Sequence, residues 1–122
     1  MANIIPFAFR GELFTGTHNF ANGGNQFKIA LYTSNPYSTS STVYLTTNEV
    51  SASGGSNYTA TGNILASQAV ASGTAVASVD FADTSWTSAT FTAAFAAIYN
   101  DTNSDKLCVV LDFGGNKTAT NG

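Results

Sequence analysis

Catalysis needs a nucleophile, a base or a set of metal ligands, and this 122-residue chain offers few of them. Its one histidine, His18, stands in Thr17-His18-Asn19-Phe20, and its one cysteine, Cys108, stands in the apolar run Leu107-Cys108-Val109-Val110-Leu111. A thiol inside such a run reads as a small buried hydrophobe, and a histidine behind a helical segment reads as a partner for helix-terminal carbonyls. Serines are numerous, but none lies in the G-x-S-x-G turn that presents a hydrolase nucleophile, and a single histidine would have to serve them all. Asp80 and Asp83 bracket Phe81-Ala82 just before Trp86, which imitates a glycosidase carboxylate pair beside an aromatic platform. Strand-end carboxylates next to a core tryptophan give the same pattern, and that reading is preferred. Asp101, Asn103 and Asp105 alternate ahead of Asp112 as in a calcium loop, but Lys106 occupies the place where the sharp turn requires glycine. The expectation is a protein without catalytic residues, metal or cofactor, hence not an enzyme.

Composition points to binding. Hydrophobic residues make up 43% of the chain and charged residues only 9%, against about 25% charged in ordinary soluble domains. Ser, Thr, Asn and Gly fill the deficit, giving a neutral surface that costs little to desolvate at a protein contact. Arg10, Lys28, Lys106 and Lys117 lie in four separate segments of a chain with formal charge -3, so no basic face for nucleic acid is expected. No stretch reads as a secretory signal or a membrane span, and the product is expected to be soluble and to stay in the cell that makes it.

The elements that would position these residues are mostly strands. Residues 1–25 read as an N-terminal arm with a short helix from Phe7 to His18, weakened by Gly11 and Gly16. Residues 26–122 read as one antiparallel β-sandwich or jelly-roll-like domain, all-β in class, with a long polar connection over 34–63. Its strands are expected at Gln26–Thr33, Ile64–Val70, Thr74–Phe81, Thr87–Thr92, Ala93–Tyr99 and Lys106–Phe113. The second and third of these form a hairpin about Ser72-Gly73, and the last two are central because both their faces are apolar. Short extended pieces at Val43–Leu45 and Asn48–Val50 interrupt the long connection, whose Ser51–Tyr58 stretch is expected to be its mobile tip. The alanines of Thr92–Ile98 favour helix intrinsically, but the flanking hairpin chemistry favours strand. After Gly114-Gly115 the sequence is turn-like, so an unpaired sheet edge is expected at the chain's end.

Several segments in order carry a resemblance. Phe9-Arg10-Gly11-Glu12-Leu13, Phe27-Lys28-Ile29-Ala30-Leu31-Tyr32-Thr33-Ser34, Thr46-Thr47-Asn48-Glu49-Val50, Asn57-Tyr58-Thr59-Ala60, Val79-Asp80-Phe81-Ala82-Asp83-Thr84-Ser85-Trp86, Ala97-Ile98-Tyr99-Asn100 and Leu111-Asp112-Phe113-Gly114 span nearly the whole chain. Together they resemble a small family of virion structural proteins encoded by tailed bacteriophages. The resemblance implies particle context, with one more strand usual after the glycine-rich turn. Read physically, Phe81 and Trp86 are expected in the core, and Glu49 is expected to pair with a scarce cation within the domain or across an interface.

These readings converge on a capsid decoration or cement protein of the virion, assembled in the bacterial host cytoplasm. Its expected partners are the major capsid protein or other virion proteins and further copies of itself, with no nucleic acid and no membrane. A neck, tail or fibre-attachment component is the alternative, and a carbohydrate-binding module resting on exposed Tyr37, Tyr44 and Tyr58 is the second. The candidate interface residues are Phe7, Phe9, Phe14, Tyr37, Tyr44, Glu49 and Tyr58.

Overall fold

Phe27, Ile29 and Leu31 alternate with Lys28, Ala30 and Tyr32, and a period of two lays one set on each face of a sheet. In the computed structural model, which describes residues 3–122, this segment is strand β1 (Phe27–Tyr32). It pairs antiparallel with β2 (Asn63–Leu65) on one side and β5 (Phe91–Asn100) on the other, and β5 pairs antiparallel with β6 (Lys106–Ala119). The sheet order is thus β2-β1-β5-β6, and a separate antiparallel hairpin is made by β3 (Ala69–Ser72) and β4 (Ala77–Asp80). With helix α1 (Phe7–Phe14) as the one helix among the described residues, the architecture is all-β, antiparallel and sandwich-like.

Both faces of the four-stranded sheet are covered. On one, Ala30, Tyr32, Ala97, Tyr99, Leu107 and Val110 pack with Tyr37, and Tyr44 and Leu45 close over them. On the other, Leu31 and Ala96 pack with Val50, Tyr58 and Trp86, while Phe27, Leu65 and Cys108 pack with Phe9, Phe20 and Phe81. Two-sided burial decides the conformation of the alanine-rich stretch. Ala93, Ala94, Ala96 and Ala97 are all buried in β5, where their small side chains let aromatic rings approach the sheet from both sides, and packing overrides helix propensity.

The structure departs from the sequence reading at identifiable points. Helix α1 stops at Phe14 rather than His18, because Gly16 takes φ 72°, a left-handed conformation that ends a helix readily when the residue is glycine. The expected strand Ile64–Val70 is split at Ser67, which has φ 55°, so that β2 joins the main sheet and β3 the hairpin. Thr87–Thr90 lies outside the strands, and β5 runs unbroken from Phe91 to Asn100. The glycine-rich end is not a terminal loop. Residues 113–116 bulge out between the Phe95–Asp112 and Ala93–Lys117 pairs, Gly114 and Gly115 take positive φ, and β6 resumes against β5 as far as Ala119. Only β5 is central. β6 is an edge strand whose outer side is covered by Thr42–Tyr44 near Lys106 and by Ile4 at Val110, which explains its apolar sequence.

The long connection is a working cover rather than a free loop. β2 is three residues long and leaves the outer edge of β1 bare beyond Ile29, so the connection caps it. Val50 N–H donates to Leu31 O (2.9 Å), Thr33 N–H donates to Asn48 O (2.9 Å), and Leu31 N–H donates to the Tyr58 hydroxyl (3.0 Å). Ser51–Tyr58 is likewise fastened, since Ser56 and Tyr58 are buried and Thr90 N–H donates to Ser56 O (2.9 Å).

Candidate functional site

Three groups of residues hold whatever chemistry the fold can offer. The first fastens the N-terminal segment to the sheet. The turn after α1 brings His18 inward beside Cys108, with Asn100 at the end of β5 and Lys106 at the start of β6. His18 Nε2 lies 2.9 Å from Glu12 Oε1, and Lys106 Nζ lies 3.0 Å from Glu12 Oε2. Asn100 Nδ2 donates to His18 Nδ1 (3.0 Å) and to Asn25 Oδ1 (3.0 Å), while Asn100 Oδ1 accepts Asn103 N–H (3.2 Å). That acceptance fixes the Asn100 amide, so Nδ1 of His18 is the acceptor and Nε2 carries the proton toward Glu12. Burial by itself would raise the Glu12 carboxyl, but the hydrogen bonds from His18 and Lys106 outweigh it and hold the group below its ordinary range.

Cys108 Sγ stands 3.7 Å from His18 Nδ1, which places a thiol, an imidazole and a carboxylate in series. A thiol–imidazole–carboxylate series is the arrangement of a cysteine nucleophile with its base and orienting acid. Here two features oppose that chemistry. Asn100 already occupies the Nδ1 lone pair at the shorter distance, and burial, followed by the nearby Glu12 charge, pushes the thiol well above its ordinary value. Only the thiolate is a good nucleophile, so at neutral pH this series works as a clamp.

The second group lies under the long connection. Glu49 accepts hydrogen bonds from the Tyr44 hydroxyl and from the Tyr58 hydroxyl (2.7 Å). Tyr32 and Tyr37 share a hydrogen bond of 2.6 Å, Tyr32 donates to Leu45 O (2.7 Å), and Leu45 N–H donates to Tyr37 (2.9 Å). Glu49 therefore pairs with two phenols rather than the cation expected of it. Tyr37 and Tyr58 are buried and Tyr44 is half-buried against Tyr99, so these rings close the core instead of forming an external platform for a partner or a sugar. Burial, reinforced by Glu49, pushes the Tyr44 phenol upward.

The third group is exposed and apolar. Between α1 and the β3–β4 hairpin lies an open cavity of about 500 Å³, lined by side chains that include Ile5, Phe9, Leu13, Val79 and Phe81, with Cys108 beneath. Of the expected interface residues, Phe9 faces this cavity, while Phe7 and Phe14 stand outside it at 61% and 93% exposure. All four residues of β3 and all four of β4 are exposed, including Val70 and Val79, which oppose each other across the hairpin. The sequence reading found this hairpin but gave it no role. Its signal was a lack of lysine, arginine and proline along a strand pair, the residues by which exposed edges are ordinarily protected.

The remaining motifs are dispersed. Phe81 joins Phe20 and Phe27, and Trp86 stacks on Tyr58 at 5.8 Å, as core residues should; Trp86 Nε1 is buried without a hydrogen-bond partner among the described residues. Asp101 accepts from Gln26 Nε2 (2.6 Å), and Asn103 spans to Thr17 and Asn25, so these side chains tie the β5–β6 turn to its surroundings. Among the described residues no three His, Cys, Asp or Glu side chains group as metal ligands, and no helix is long and apolar enough to cross a membrane. Comparison with protein-family models, with curated proteins and with solved structures finds no match to this chain.

Proposed function

We propose that the chain is a non-enzymatic structural protein of a tailed bacteriophage particle, and within it a decoration or cement protein bound to the head lattice. The observation that carries the reading is the uncovered apolar surface of α1 and the β3–β4 hairpin. A two-stranded hairpin is marginal in water by itself, and none of the eight strand residues of this one is buried within its own chain. Surfaces of this kind on a soluble protein mark sites where other proteins bind. The low charge of the chain suits a permanent contact, since few groups need desolvation when it forms. A repeating lattice sums many weak contacts of this sort into firm attachment.

The phage context rests on the sequence resemblance, and the neck, tail or fibre-attachment role is the same reading at another place in the particle. Densitometry of purified particles separates the two. A copy number matching the capsid lattice supports the decoration role, a copy number matching the tail symmetry supports the alternative, and absence from the particle refutes both.

A further inference from the structure

The loop that joins α1 to β1 holds one of the two Asn-Gly pairs of the chain, Asn22-Gly23; the other is Asn121-Gly122. An asparagine loses its side-chain amide when the backbone nitrogen of the next residue attacks the side-chain carbonyl, and glycine leaves that approach open because it has no Cβ to crowd it. The two pairs are presented differently. Ala21–Gly24 is a turn closed by Gly24 N–H donating to Ala21 O (2.8 Å), and Gly23 takes φ 81°, as the third residue of a type II turn does. Asn22 and Gly23 are exposed, and nothing lies within 4 Å of where a Gly23 Cβ would stand. Neither the Asn22 side chain nor the Gly23 N–H has a hydrogen-bond partner among the described residues. Gly122 N–H, by contrast, donates to Ala89 O (3.1 Å), Gly122 O accepts Ala89 N–H (2.8 Å), and Asn121 N–H donates to Thr90 Oγ1 (3.0 Å), so the attacking nitrogen there is engaged.

We infer that Asn22 is a site of spontaneous deamidation, through a cyclic imide with Gly23, that remodels the loop holding His18 against the sheet. In the first step the bond from Gly23 N to Asn22 Cγ forms, the Cγ–Nδ2 bond breaks, and the side-chain nitrogen leaves as ammonia with the proton of the Gly23 amide. Water then opens the ring at either carbonyl. One product is aspartate on an unchanged backbone; the other is isoaspartate, whose chain runs through the side-chain carbon and is longer by that carbon. The loop has no slack for it. Asn25 N–H donates to Asn19 O (2.9 Å) and Asn19 N–H to Asn25 Oδ1 (2.8 Å), which ties the two ends together. The buried Gln68 amide donates to Ala21 O (3.2 Å) and to Asn25 O (2.6 Å), and a Cβ on Gly24 would stand 2.6 Å from Asn19 O. Asn25 Oδ1 also accepts from the Asn100 amide that bonds His18, so strain in the loop reaches the clamp.

Peptide mapping by mass spectrometry, with fragmentation that tells isoaspartate from aspartate, tests this on the full chain aged at mildly alkaline pH, both folded and in guanidinium. Folded Asn22 is expected to convert nearly as fast as in the unfolded chain. Folded Asn121 is expected to convert about tenfold more slowly than when unfolded, because its glycine amide must first open. Asn22→Gln, whose longer side chain would need a larger ring, is expected to show no conversion at that position and an unchanged melting temperature. The aspartate form, made as Asn22→Asp, is expected to melt with the wild type, and the isoaspartate form, separated by chromatography, to melt lower. An Asn22 that folding protects as strongly as Asn121 would overturn the site, and an isoaspartate form that melts with the wild type would overturn its effect on the loop.

Discussion

Replacing Tyr58 with phenylalanine removes one oxygen and leaves the ring on Trp86, yet it is expected to be among the costlier conservative changes in the protein. The hydroxyl donates to Glu49 Oε1 (2.7 Å) and accepts the N–H of Leu31 (3.0 Å), a backbone donor that has no strand to pair with because β2 ends short of it. Losing a hydrogen bond to a charged acceptor costs about 1.5 kcal/mol, and leaving a buried N–H without a partner costs about the same again, for a total of about 3 kcal/mol. At about 4 °C per kcal/mol for a domain of this size, the melting temperature should fall by about 12 °C. Tyr44→Phe supplies the comparison, since it removes a bond to the same carboxylate but orphans no backbone group, and about 1 kcal/mol is expected for it. Urea titration of both variants, with hydrogen exchange at the Leu31 amide, measures the difference. If Tyr58→Phe costs no more than Tyr44→Phe, or if the Leu31 amide stays as protected as in the wild type, the edge-capping argument is wrong.

Other outcomes follow from the same contacts. Gly62 has φ 87°, and a Cβ placed there would stand 2.0 Å from Ile29 O, so Gly62→Ala should cost about 4 kcal/mol or more or prevent folding, as read by circular dichroism and yield. Glu12 is held below its usual pKa of 4.5, so its contribution is present above that value and is lost as pH falls through the lowered one; the melting temperature of Glu12→Gln should show a flatter acid limb than the wild type's. Cys108 is 2% exposed and its thiol is held protonated, so alkylation by iodoacetamide at neutral pH should run only at the rate of unfolding, and prompt stoichiometric labelling of the native protein would contradict the clamp.

Much of the fold was legible because it is written locally. The alternation of Phe27, Ile29 and Leu31 and the two apolar faces of β5 each follow from a few neighbouring residues and appear as expected, whereas the hairpin expected about Ser72-Gly73 turns over residues 73–76, with Ser72 paired to Ala77 and β4 starting at Ala77 rather than Thr74. The end of the chain was misread because glycine signals a turn as readily as a bulge; only the Thr92–Thr118 side-chain bond (2.8 Å) and the Ala93–Lys117 pairing, both between residues distant in sequence, distinguish them. The tyrosines misled for a similar reason. In a polar segment, Tyr37 and Tyr58 read as exposed rings, but Tyr37 closes over the inner face of Tyr32 and Tyr58 caps the edge of β1, partners 5 and 27 residues away. The clamp of Glu12, His18, Asn100 and Cys108 was not legible because it joins residues that no spacing rule connects.

The central claim is that the α1–hairpin face exists to hold this chain among other subunits. Quantitative mass spectrometry of purified phage particles, comparing wild type with Phe14→Glu, tests it most directly. The account predicts wild-type protein at a copy number set by the particle's symmetry and a marked loss of the variant, whose fold is intact. Wild-type protein missing from the particles, or a variant incorporated as well as the wild type, would contradict it.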